Sequence, residues 1–252
     1  MPKPPGDYRA VLLDIEGTTT SIDFVYEVLF PYARRELPGF LERTWGEPET
    51  RAAVEALTAQ AETDILSGLE EVPPVPADDP DDERRAAAVR NALWQMDLDR
   101  KTTALKRLQG LVWDAGYAAG ALRGHVYEDV PRALAAWKER GVPVYIYSSG
   151  SVAAQKLLFG SSEAGDLCEL LAGHFDTTTG PKRDAQSYRR IAELIGLAPR
   201  DVVFVTDSLD EAWAASAAGM DTCLSMRPGN PELPEHPFPE LGSLDPLVAA
   251  AR

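Results

Sequence analysis

Residues 10–20 read AVLLDIEGTTT: four apolar positions, a carboxylate, a second carboxylate two positions on, a glycine and three threonines. A short apolar run that breaks into polar residues has the form of a buried strand. Three more segments repeat it: 142–147 (VPVYIY) runs into Ser148, 202–205 (VVFV) runs into Thr206 and Asp207, and 222–226 reads TCLSM. Helical patterns lie between the later ones. Pro131 stands where a helix can begin, Leu134 and Trp137 share a face, and Gly141 suits the position past its end. Tyr188, Ile191 and Leu194 repeat the spacing ahead of Gly196. Strand and helix in alternation imply right-handed crossovers and a parallel sheet covered on both faces. The core is therefore predicted to be a doubly wound, Rossmann-like α/β fold.

The alternation stops between residues 21 and 124. There Val89, Leu93 and Met96, then Leu105, Leu108 and Val112, recur at helical spacing with no strand between them. The expected organisation is a core of 1–20 and 125–252 with a helical cap, 21–124, inserted. Within the cap, residues 71–85 (EVPPVPADDPDDERR) read as a surface loop, because prolines remove donors and like charges repel. From 227 to 246 the chain is again Pro-rich and reads as a wrapped tail.

The 252 residues are 44% hydrophobic and 26% charged, ordinary values for a globular protein. The formal charge of -15 repels polyanions, which argues against a nucleic-acid or anionic-membrane partner. Any phosphate must then be held by local chemistry. Two cysteines, Cys168 and Cys223, make neither a disulfide framework nor a thiolate zinc site. No apolar signal core precedes Tyr8, and no stretch approaches membrane-spanning length. A cytoplasmic monomer is expected.

In a parallel sheet, functional groups collect where the strands end, since the loops there face one crevice. Asp14 and Glu16 lie on the same side of an extended chain, and a hard cation such as magnesium keeps two neighbouring carboxylates ionised. Ser148 and Ser149 precede a helical stretch, where hydroxyls and free NH groups cradle phosphate oxygens. Lys182 offers a compact positive charge for the same phosphate. Asp207 offers a third metal carboxylate, with Asp210 held in reserve. Asp210 and Glu211 also read as the acidic first turn of a helix.

A nucleophilic carboxylate, a phosphate-binding serine, a lysine and an acidic metal site, in that order, resemble the haloacid dehalogenase-type phosphotransferases. DIEGTTT at 14–20 with LFPY at 29–32, WQM at 94–96, DRKTTALK at 99–106, VYIYSSGS at 144–151 and QKLLFG at 155–160 resemble, more closely, the enolase-phosphatases of methionine salvage. The resemblance implies two steps on 2,3-diketo-5-methylthiopentyl-1-phosphate, enolisation and then loss of phosphate, to give the acireductone 1,2-dihydroxy-3-keto-5-methylthiopentene. It implies one magnesium ion per chain on Asp14, Glu16 and Asp207, substrate on Ser148, Ser149 and Lys182, and catalysis by Asp14, Glu16 and Lys182. Asp14 would attack phosphorus and water would hydrolyse the aspartyl-phosphate. Glu16 stands where the wider superfamily has Asp, which leaves its role open between metal contact, proton transfer to the leaving group and proton abstraction. Arg100, Lys101 and Lys106 read either as substrate contacts from a closing cap or as a solvated helix face. Trp94, Met96 and Leu98 read as cap packing, with Trp94 also a candidate wall for the methylthio end. His125, His174 and His236 receive no role.

Three other functions share parts of this pattern. A magnesium-dependent phosphatase of another small phosphate ester would lack the enolase step. A dehalogenase would attack carbon with the same Asp and need no metal, which Glu16 and Asp207 argue against. A non-catalytic binding module would be expected to lack one of Asp14, Lys182 or Asp207.

Overall fold

The computed structural model describes residues 4–250. The leader reading rests partly on 1–3, which lie outside them. The chain forms two compact units: one runs to Tyr26 and resumes at Arg123, and the other is Glu27–Leu122.

The first unit is built on β1 (Ala10–Leu13), β2 (Val144–Tyr147), β3 (Gly173–Phe175), β4 (Val202–Thr206), β5 (Asp221–Ser225) and β6 (Glu240–Leu241). They form one parallel sheet in the order β3-β2-β1-β4-β5-β6. The strand order reverses direction beside β1, the switch point at which doubly wound sheets open a crevice. β1 and β4 are buried at every position, as a central strand covered on both faces must be. Helices α5 (Asp129–Glu139), α6 (Val152–Gly160), α7 (Ala185–Leu194), α8 (Leu209–Ala218) and α9 (Asp245–Ala250) complete the unit. On one face Leu12 and Phe204 pack with Tyr188 and Ile191 of α7, the Tyr188 and Phe204 rings lying 5.1 Å apart.

Several elements depart from the sequence expectation. β2 begins at Val144, not at 142, because Val142 N–H closes the α5 end on the Trp137 carbonyl and Pro143 has no N–H to give. Leu194 ends the predicted apolar face of α7 yet is 61% exposed; Ala192 is buried instead. β3 and β6, three and two residues long, carry no pattern that announces a strand. The Pro-rich tail supplies β6 and α9.

The second unit holds α1 (Phe30–Thr44), α2 (Pro48–Leu66), α3 (Asp81–Asp97) and α4 (Thr103–Ala118), with no strand among its described residues. α1 packs on α3 and α4, and α2 on α3 and α4, around buried Leu37, Leu41, Leu57, Leu105 and Leu108. Gly116 admits the Tyr32 ring, which a Cβ there would meet at 2.7 Å. The expected loop 71–85 ends early. Residues 81–85 open α3, where Asp81, Asp82 and Glu83 lie in a first turn that favours acids. Val72 and Val75 of that loop are buried. Leu98 is 56% exposed rather than packed. Arg100 is clamped onto Asp64 by two bonds of 2.6 and 2.9 Å, and its guanidinium lies over Trp94 at 5.0 Å. Gln95 bridges Asn91 and Thr102, and the Thr102 hydroxyl caps α4 by accepting from Leu105 N.

Candidate active site

Asp14 follows β1 directly, and its N–H still donates to Val205 of β4 at 2.9 Å, so the sheet fixes its backbone. Three amides, those of Thr18, Thr19 and Thr20, fold back onto the Ile15 carbonyl, and the Thr19 hydroxyl donates to the Asp14 carbonyl. This tight turn requires Gly17, whose φ is +65°. Its missing side chain matters equally: a Cβ would lie 2.5 Å from Asp207 Oδ2 and 2.8 Å from Asn230 Oδ1.

The Asp14 carboxylate is 3% exposed and fully engaged. Oδ1 accepts from Ile15 N at 2.7 Å and Lys182 Nζ at 2.6 Å, and Oδ2 accepts from the Thr206 hydroxyl at 3.0 Å. Lys182 Nζ lies 2.7 Å from Glu211 as well. Tyr188 and Tyr147 hold the lysine loop from beneath, donating to the carbonyls of Lys182 and Gly180. Burial pulls the ammonium down, but Asp14, Glu211 and Glu16 outweigh it and raise Lys182 above the usual lysine value. It is a fixed positive charge.

Glu16 sends Oε2 to the Ser148 hydroxyl, which donates at 3.3 Å; that same Ser148 oxygen accepts from Gly150 N. Burial, and then the Asp14 charge, raise the Glu16 carboxyl. Ser149 is half-buried at the end of β2 beside it, and Ser151 caps α6. Burial and the Asp14 charge push Asp207 up to about 7. The same two causes push Glu211 to about 8. Thr206 has a single proton within 3.0 Å of both Asp14 and Glu211, so it satisfies only one of them at a time unless Glu211 is itself protonated.

Four carboxylates therefore surround one ammonium, and oxygen donors in excess of positive charge suit a hard divalent cation. Among the described residues, however, no three acidic, imidazole or thiolate side chains close into a ready-made metal cage. The Glu16 carboxylate turns to Ser148 instead of completing a set with Asp14 and Asp207.

Asp14, Glu16, Ser148 and Lys182 meet at the strand ends, and Asp207 lies against the Gly17 turn. Asp210 does not join them: it is exposed and pairs with Arg183 at 3.4 Å. Glu211, in the first turn of α8, does join; the sequence showed two acids close behind Asp207 and did not say which of them approaches the site. Thr206 and Asn230 carried none. His125 accepts from Ser21 N and bonds the Thr20 hydroxyl, and His174 bonds Gln155.

This fold and this set of strand-end groups define a class. Residues 8–219 match the haloacid dehalogenase-like hydrolase family, and the chain belongs to it. It is similar to the Enolase-phosphatase E1 of Anopheles gambiae, 48% identical over 96% of this chain and 83% of that protein, and to the one of Azotobacter vinelandii, 48% identical over 91% and 93%. Within the hydrolases, the chain belongs to the enolase-phosphatases. Among solved structures, the UTR4 protein of Saccharomyces cerevisiae is similar with a TM-score of 0.74 and 34% identity, covering 94% of this chain and 98% of that one. The L-2-haloacid dehalogenase of Xanthobacter autotrophicus shares the fold, with a TM-score of 0.54 and 17% identity over 96% and 97% of the two chains. No helix among the described residues is long and apolar enough to cross a membrane.

Proposed function

We propose that this chain is a magnesium-dependent enolase-phosphatase of methionine salvage that enolises 2,3-diketo-5-methylthiopentyl-1-phosphate and then removes its phosphate. One observation carries the assignment of roles: Asp14, alone at the end of the central strand, has a committed cation 2.6 Å from one oxygen. A magnesium ion, held by Asp14 and Asp207 with Glu16 nearby, would polarise the ketone oxygen and offset phosphoryl charge.

The sequence offers Glu16 or Lys182 to move the enolisation proton; the Lys182 ammonium, hydrogen-bonded to two carboxylates at 2.6 and 2.7 Å and with no lone pair to offer, supports the choice of Glu16. The work of Lys182 is to neutralise the transferring phosphoryl group. The Glu16 carboxylate takes the proton from the carbon beside the carbonyl, while the Ser148 hydroxyl holds the oxygen that does not react. Asp14 then attacks phosphorus, the bond to the ester oxygen breaks as Glu16 gives that oxygen the proton it took from carbon, and water, losing its own proton to solvent, releases phosphate from the aspartate. Ser148 and Ser149 bind the phosphate, the Ser148 hydroxyl turning its one proton from Glu16 to a phosphoryl oxygen after enolisation. The reading includes one ion per chain, a monomer and a cytoplasmic setting, in keeping with two unpaired cysteines.

Asp14→Asn keeps the shape and removes the nucleophile. Phosphate release should fall below detection while the ultraviolet-absorbing enol phosphate still accumulates. Loss of both signals together would contradict separate roles for Asp14 and Glu16.

A further inference from the structure

Asn230 lies on a turn closed by its own N–H to the Arg227 carbonyl. Its Nδ2 donates to the Gly17 carbonyl at 2.9 Å and to the Ser225 carbonyl at 3.0 Å. Those two acceptors fix the amide: turned over, it would set its oxygen against both carbonyls. Oδ1 must therefore face away from them, and it does so buried and without a hydrogen-bond partner among the described residues. On that side lies Asp207. The Asn230 and Asp207 oxygens are 2.8 and 2.5 Å from one point, the place a Gly17 side chain would fill. A buried acceptor left without a donor costs on the order of 1–3 kcal/mol, and the half-buried Asp207 beside it, once ionised, has no proton to give. The arrangement calls for a donor.

We propose that Asn230 is a positioning residue of the cation site, its Oδ1 accepting a hydrogen bond from a water of the hydrated magnesium ion beside Asp207. Magnesium surrenders its waters reluctantly, so a protein site that keeps them must supply acceptors for them. The Arg227–Asn230 turn supplies one that is neutral, which matters where four carboxylates already gather. The inference rests on the reading of Asp207 as a cation ligand.

The test is calorimetric titration of the chelator-treated full chain with magnesium chloride, alongside the melting temperature of each cation-free variant. Asn230→Leu removes acceptor and donors together and should weaken magnesium binding about tenfold, the scale of a lost hydrogen bond to a charged partner. Asn230→Asp loses the donors to Gly17 and Ser225 but keeps an oxygen facing Asp207. It should melt lower than the wild type without cation, yet bind magnesium at least as tightly. A merely structural role would weaken both variants alike. Wild-type affinity in Asn230→Leu, or lost affinity in Asn230→Asp, overturns the proposal, and the second result stands alone if Asn230→Leu does not fold. Asp207→Asn separates the two levels: it should abolish binding, and binding that persists there sinks the site reading itself.

Discussion

At the residue scale, the site is a contest between burial and charge. The Lys182 ammonium pairs with Asp14 and Glu211, which leaves Glu16 and Asp207 without a direct cationic partner among the described residues. In the cation-free protein Asp207 and Glu211 hold protons to about pH 7 and about pH 8, whereas an unfolded chain releases them near pH 4. The folded state thus binds more protons than the unfolded one across that interval, and its stability falls as pH rises through it. The raised Lys182 acts in the opposite sense, but its contribution is fully present below the unfolded lysine value near 10.4 and leaves the interval untouched. A bound divalent cation removes the carboxylate penalty. Melting temperatures of chelated protein should fall from about pH 5 to about pH 8, and magnesium should raise them more at about pH 8 than at about pH 6. A magnesium gain that is flat or shrinks with pH would count against this balance. The sequence made Asp14, Glu16, Ser148 and Asp207 legible because each follows an apolar run, and Lys182 because it stands just ahead of the helical spacing that starts at Tyr188. Glu211 stayed ambiguous because an acid in the first turn of a helix needs no further reason.

At the element scale, the turn after β1 does the positioning, and its central residue tolerates no side chain. Gly17→Ala places a Cβ in a left-handed conformation, which costs about 1–2 kcal/mol. It also drives that carbon into Asp207 Oδ2 and Asn230 Oδ1. Denaturant melts should report the strain, and phosphate release should be lost out of proportion to it; a stable, fully active variant would contradict the role given to the turn. The strands that carry this turn and its partners were readable as short apolar runs. β3 and β6 were not, since two or three residues hold no period and β6 interrupts a Pro-rich stretch. Leu194 and Leu98 misled for a related reason: an apolar residue at the frayed end of a helix keeps the spacing after the packing has ended. The opposite error occurred at 81–85, where charge suggested a loop and the first turn of α3 accepts it.

At the scale of the whole molecule, the tail is fastened by a buried ion pair that sequence reading passed over. Arg227 donates to both oxygens of Asp129 at 2.9 and 2.8 Å, to the Thr18 carbonyl of the active-site loop, and to Gly242. Asp129 also accepts from Leu244 N. The pair joins β1's loop, the start of α5 and the chain beyond β6, positions more than 200 residues apart at their extremes. No local pattern encodes such a clasp. Arg227→Met leaves Asp129 buried without a cation, held among the described residues only by Leu244 N–H, and should cost about 3–5 kcal/mol, on the order of 10 °C in melting temperature. A loss within about 1 kcal/mol would mean the pair is compensated elsewhere. On the proposed function, the sheet, the clasp and the Gly17 turn together serve one end: carboxylates at the ends of β1 and β4 would hold a divalent cation while Asp14 attacks phosphorus. The most direct measurement is a crystal structure of the full chain with magnesium and trifluoroberyllate, a mimic of the phosphoryl group. The account predicts beryllium on an Asp14 oxygen, one magnesium ion touching Asp14 and Asp207, and Lys182 against the fluorides. Beryllium on any other residue, or a magnesium ion that does not touch Asp207, would contradict it.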